Sequence, residues 1–214
     1  MDIAYYILLL LIYFLCLNIF IKNKKHSPKK IKTYIYIAII VLSLRYVGLL
    51  ILCIANSSEY LGAIKWIIYS SYLVVPFITL AFIYVFLRFD NKEFKYIYFI
   101  GALITAIYIF NIMVIKIRVN YNQIFGYVVS VEKPLVPIME YFVILGLLLL
   151  YLIYYIDKPN SNKKGVWQII LYLSICIIDN IIFISGIQYF PATIVSDYLF
   201  VIFLNFFLNV FKKK

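Results

Sequence analysis

The chain has 214 residues, 66% of them hydrophobic and 20% aromatic, with a mean hydropathy of +1.00 and a formal net charge of +11. Soluble domains carry roughly 45–50% apolar residues, so this composition excludes a water-soluble globule and points to an all-α integral membrane protein. The charge does not indicate a nucleic-acid partner, because the basic residues sit in short segments beside apolar runs, where membrane orientation uses them.

A span needs about 20 apolar residues, and seven segments qualify. The first runs from Ile3 to Ile21. No basic region precedes it, so it is expected to remain as a span rather than be removed as a signal. Six lysines follow within Lys22–Lys32, then the second span from Tyr34 to Ala55. The third runs from Trp66 to Leu87 and contains Pro76, where a kink is expected. The fourth is Tyr96 to Ile115.

Lys116 to Lys133 is the longest connection, rich in polar and β-branched residues, and suits a short hairpin or a surface-lying segment. The fifth span covers Leu135 to Ile156 and the sixth residues 166–188, inside the apolar stretch Trp167 to Pro191. The seventh runs from Asp197 to Phe211 and is followed by Lys212, Lys213 and Lys214. A single membrane domain over residues 1–214 is expected. Of the 20 Lys and Arg, 15 fall on the side of the C-terminus and four on the other, while Arg45 lies inside a span. The positive-inside rule then gives an outside N-terminus and a cytoplasmic C-terminus, in the cell membrane.

Charge inside a span is expensive and calls for a partner or a function. Arg45 in the second span and Asp179 in the sixth have opposite signs and, counted from the span ends, similar depths. An intramembrane Arg45–Asp179 pair is therefore expected, either fixing helix register or serving a ligand or proton. Asp197, Val201, Asn205 and Asn209 form an i, i+4 stripe on the last span. With Asn111 and Asn180, its asparagines are expected to hydrogen-bond between helices. Glu59, Glu140 and Asp197 are expected at an outward-facing mouth, as contacts for an extracellular ligand.

Catalytic arrangements are not visible. His26, the only histidine, sits in the lysine-rich segment, and Cys16, Cys53 and Cys176 lie singly in apolar runs. A non-enzymatic protein without metal or cofactor is expected.

From Leu44 to Phe211 the order of features resembles the seven-span N-terminal sensor region found ahead of bacterial histidine kinases and diguanylate cyclases. The residues concerned begin with Asn56-Ser57-Ser58-Glu59 closing one span, then Trp66, Tyr69, Tyr72 and Pro76-Phe77 in the next. They continue with the long connection before the fifth span, Lys163-Lys164 and Gln168 leading into a span with Asn180 and Gly186, then Phe190-Pro191, and Asp197. The resemblance implies seven helices, an outside N-terminus and a sensory signal passed to a cytoplasmic output domain. That family continues into a coiled coil and a catalytic domain, whereas this sequence ends at Lys214. The expectation is a membrane part alone, or a free-standing relative that signals through a membrane or cytoplasmic partner, alone or as an oligomer. The alternatives are a small solute transporter, or the membrane subunit of one, and an immunity or accessory membrane protein.

Overall fold

The computed structural model describes residues 3–55, 64–87, 95–132, 135–159, 161–187 and 189–211. Its helices are α1 (Ile3–His26), α2 (Lys29–Ile54), α3 (Lys65–Ile68), α4 (Ser71–Phe86), α5 (Lys95–Val114), α6 (Leu135–Tyr154), α7 (Lys163–Ile184) and α8 (Ile194–Leu208). A hairpin of β1 (Ile117–Asn122) and β2 (Gly126–Val131) lies between α5 and α6.

Among the described residues, six helical stretches are long and apolar enough to cross a membrane, with α3 and α4 counted as one. α8, at 15 residues, is shorter. Large apolar side chains cover the outside of the bundle: Ile3, Phe14, Phe99, Phe110, Leu147 and Trp167 are all exposed. Patches of that extent suit hydrocarbon, not water. These features are compatible with a multi-pass helical membrane protein.

α4 occupies the centre and packs on α2, α5, α6, α7 and α8, while α1 closes the circle between α2 and α8. Most of its residues from Val74 to Phe86 are buried, with Phe77, Tyr84 and Val85 half-buried, as suits a helix enclosed by its neighbours.

The helices extend beyond their apolar runs. α1 continues through Lys24, Lys25 and His26, and α2 already begins at Lys29. Lysine is a good helix former, and cations at a helix C-terminus favour the dipole. Only Ser27 and the extended Pro28 separate the two helices. The buried Asn23 clasps this turn by donating from Nδ2 to the Lys32 carbonyl at 3.0 Å.

The third span is interrupted, though not at Pro76, through which α4 runs unbroken. The break falls at Tyr69–Ser70. There the Tyr72 amide, which in a continuous helix would donate to Ile68, donates to the Tyr69 carbonyl at 3.1 Å. The Ile68 carbonyl is left open to another donor.

The long connection forms the hairpin, consistent with its β-branched residues. Asn122 accepts from the Ile124 amide at 2.8 Å and Gly126 takes a positive φ of 78° to turn the chain. Strand β2 faces the bundle and β1 the outside. Gly126 sits so close to the end of α2 that a Cβ would lie 2.9 Å from the Cys53 carbonyl oxygen.

Candidate ligand chamber

The hairpin roofs a chamber of about 250 Å³ at one end of the bundle. α2, α3, α4 and α6 contribute walls, and strand β2 covers it from Tyr127 to Val131. Tyr69 donates its hydroxyl hydrogen to the Val129 carbonyl at 3.2 Å, and Tyr6 to the Cys53 carbonyl at 3.2 Å. Tyr5, another wall, has Phe125 of the hairpin turn edge-on at 5.4 Å and Phe190 stacked at 5.7 Å. Pro191, Ala192 and Thr193, just before α8, complete the lining.

Arg45 is the charged residue of that lining, 2% exposed. Its Nε and Nη2 donate to the same Asp197 carboxylate oxygen at 3.0 and 2.7 Å, and its Nη1 donates to the Ile68 carbonyl. One guanidinium thus joins three elements. It rises from the middle of α2, satisfies the carbonyl freed by the α3–α4 break, and neutralises the acid in the first turn of α8. Asp197 is also suited by the positive end of the α8 dipole. Small neighbours make room: Gly48, one turn on, has Ile64 and Ile67 within 3.2–3.3 Å of where a Cβ would stand.

The expected partner of Arg45 was Asp179, and this is corrected. Asp179 is half-buried on the flank of α7, and its Oδ2 accepts from the Ser196 amide at 3.1 Å. It caps the first turn of α8, where Thr193 makes no side-chain cap. Counting depth from span ends assumed that every helix starts in one plane. α8 does not: its first residue, Ile194, is fully buried, so the helix begins inside the bundle. Its fourth residue, Asp197, reaches Arg45.

Of the acids expected at an outer mouth, the two described ones, Asp197 and Glu140, are held by different partners. Asp197 is 2% exposed beside the chamber, held by Arg45. Glu140 accepts from Nδ2 of Asn111, joining α5 to α6 beside a separate small crevice lined by Tyr72 and Tyr108. Glu59 lies outside the described residues.

The asparagines divide. Asn111 bonds between helices, as does Asn205, whose Oδ1 accepts from Lys22 of α1 at 2.6 Å. Asn180 donates instead to the Cys176 carbonyl one turn back in its own helix. Asn209 is exposed, because the stripe beginning at Asp197 rotates to the surface by the end of α8.

At the opposite end the bundle is filled. Phe207 of α8 lies 4.9 Å from Phe82 and 5.4 Å from Phe86, and Tyr172 lies 5.1 Å from Phe200. These rings plug the core between the chamber and the lysine-rich end. No family model matches the sequence, and no curated protein is significantly similar to it.

Proposed function

We propose that the chain is a seven-span signalling module of the cell membrane, with its N-terminus outside, that binds a small ligand in the hairpin-roofed chamber and relays occupancy to a cytoplasmic protein. α8 is the seventh span, short because it starts at the chamber and not at the membrane surface. The observation that carries the reading is the attachment of Arg45. The residue at the chamber wall is bonded directly to the first turn of α8 and to the α3–α4 break. A ligand that pulls on the guanidinium therefore pulls on two elements that lead to the lysine-rich end.

Further support comes from the aromatic plug, which favours binding over passage, and from the asymmetry of Lys and Arg, which assigns the hairpin to the outer side. At the far end of α8, Asn205 holds Lys22, so movement of this helix alters the face offered to a partner.

The test has two parts. Its label chemistry is simple because Cys16, Cys53 and Cys176 are all buried. A cysteine at the exposed Ile124 should react with an impermeant maleimide in intact cells, and one at Lys24 only after lysis. Labels at Phe20 on α1 and Phe206 on α8 should change separation when the chamber is loaded. Reversed labelling would overturn the orientation. Net solute accumulation by proteoliposomes, with the label distance unchanged, would replace the sensor with a transporter.

A further inference from the structure

The geometry points to a specific ligand class for the chamber: a compact, electrically neutral molecule with a hydrogen-bond-accepting end and an apolar or aromatic body. This rests on the chamber reading above and narrows it.

Size comes first. A closed apolar cavity of about 150 Å³ holds benzene, so about 250 Å³ suits on the order of ten to fifteen non-hydrogen atoms. The walls are mostly apolar or aromatic, including Tyr5, Leu49, Leu52, Tyr72, Val129 and Ile138. They fit a ring or a short branched chain, not a sugar or a nucleotide.

Charge comes second. Arg45 has five N–H groups, of which three are spent on Asp197 and Ile68. Two remain for an acceptor. However, the Arg45–Asp197 pair is already neutral. An anionic ligand would leave one uncompensated negative charge in a desolvated site, which is costly. A cation fares no better, because Asp197 stands behind the guanidinium and no carboxylate among the described residues lines the chamber. A carbonyl or amide uses the free N–H groups without upsetting the balance. Tyr5, Tyr72 and Tyr127 are also part of the wall.

Three probes with one indole body separate these cases: indole-3-acetamide (neutral), indole-3-acetate (anion) and tryptamine (cation). Binding is measured on the full chain in lipid nanodiscs by equilibrium dialysis. The amide should bind at least tenfold tighter than either charged probe. Ala192→Trp, which fills the chamber from the α7–α8 connection, should abolish that binding while the thermal unfolding midpoint is kept. Val129→Trp, on the inward face of β2, provides the same check should the first variant fail to fold. Preference for the acetate or for tryptamine would overturn the neutral-ligand assignment and leave the chamber as a ligand site. Binding of none of the three, or binding unchanged in a folded, filled variant, would overturn the chamber itself and the proposed function with it.

Discussion

Arg45 and Asp197, 152 residues apart in the chain, are joined at 2.7 Å with both side chains 3% exposed. Removing one member of such a pair strands the other as a buried charge, a loss of about 3–5 kcal/mol, whereas apolar replacement of both is often near neutral. Arg45→Met and Asp197→Leu should each lower the unfolding midpoint sharply, and the double variant should recover most of the loss. Exposure of the three buried cysteines to a thiol-reactive dye follows the transition. A cycle between Arg45→Met and Asp179→Asn should show much weaker coupling than one between Arg45→Met and Asp197→Leu, because Arg45 and Asp179 meet only through adjacent residues in the first turn of α8. Strong coupling there would restore the pairing read from helix depth.

Asp179 has a different task, visible in its bond to the Ser196 amide. The first amides of a helix lack intrahelical acceptors, and those of α8 are buried away from water. Loss of a capping acceptor costs about 0.5–2 kcal/mol, while asparagine serves nearly as well as aspartate. Asp179→Ala should therefore speed hydrogen exchange at the Ser196 amide, and Asp179→Asn should not. Equal exchange in the two variants would show that negative charge, rather than the cap, is what matters at this position.

Much of this architecture was legible in the sequence because the bilayer imposes it. Apolar runs of the right length marked seven segments, six of which are helical stretches long and apolar enough to cross a membrane, and the β-branched residues between Lys116 and Lys133 allowed a hairpin as one of two readings. Arg45 was recognisable as a functional or structural charge because few other reasons place arginine there. Its partner was not, since matching depths along separate helices requires knowing where each begins. α8 starts below the rim because the segment before it lines the chamber, a fact carried by contacts and not by composition. The break at Tyr69–Ser70 was missed for a related reason. Proline forfeits one hydrogen bond in place, whereas this break is stabilised from a distance, by a guanidinium on another helix that takes the released Ile68 carbonyl. The chamber itself draws on elements from α1 to the α7–α8 connection, and no local pattern announces it.

The roof should respond to its glycine. Gly126 and Gly186 both have positive φ, at 78° and 91°, but only Gly126 is crowded. A Cβ at Gly126 would meet Cys53 backbone atoms at 2.9–3.0 Å, while one at Gly186 would meet nothing within 4 Å. Alanine at either position carries the conformational penalty, of order 1 kcal/mol. Gly126→Ala alone should also lift the hairpin from α2. The expected sign is faster labelling of Cys53 by a small thiol reagent in Gly126→Ala and an unchanged rate in Gly186→Ala. Matching rates in both variants would mean that the hairpin does not depend on this contact.

At the lysine-rich end, Gly165 tests the plug without touching the chamber. It is in the first turn of α7, where its amide donates to the capping Asn162 side chain at 3.2 Å. A Cβ here would lie 2.7–2.8 Å from three ring carbons of the fully buried Phe86. Phe86 also packs on Phe82 at 5.7 Å and on Phe207 at 5.4 Å, so its ring has little freedom to move aside. Overpacking of this kind costs typically 1–3 kcal/mol. Gly165→Ala should lower the unfolding midpoint, and adding Phe86→Leu, which removes the opposing ring edge, should recover part of that loss. Because helical alanine is intrinsically better than glycine by about 1 kcal/mol, a net stabilisation by Gly165→Ala would mean that the ring yields and that the plug is looser than the packing implies.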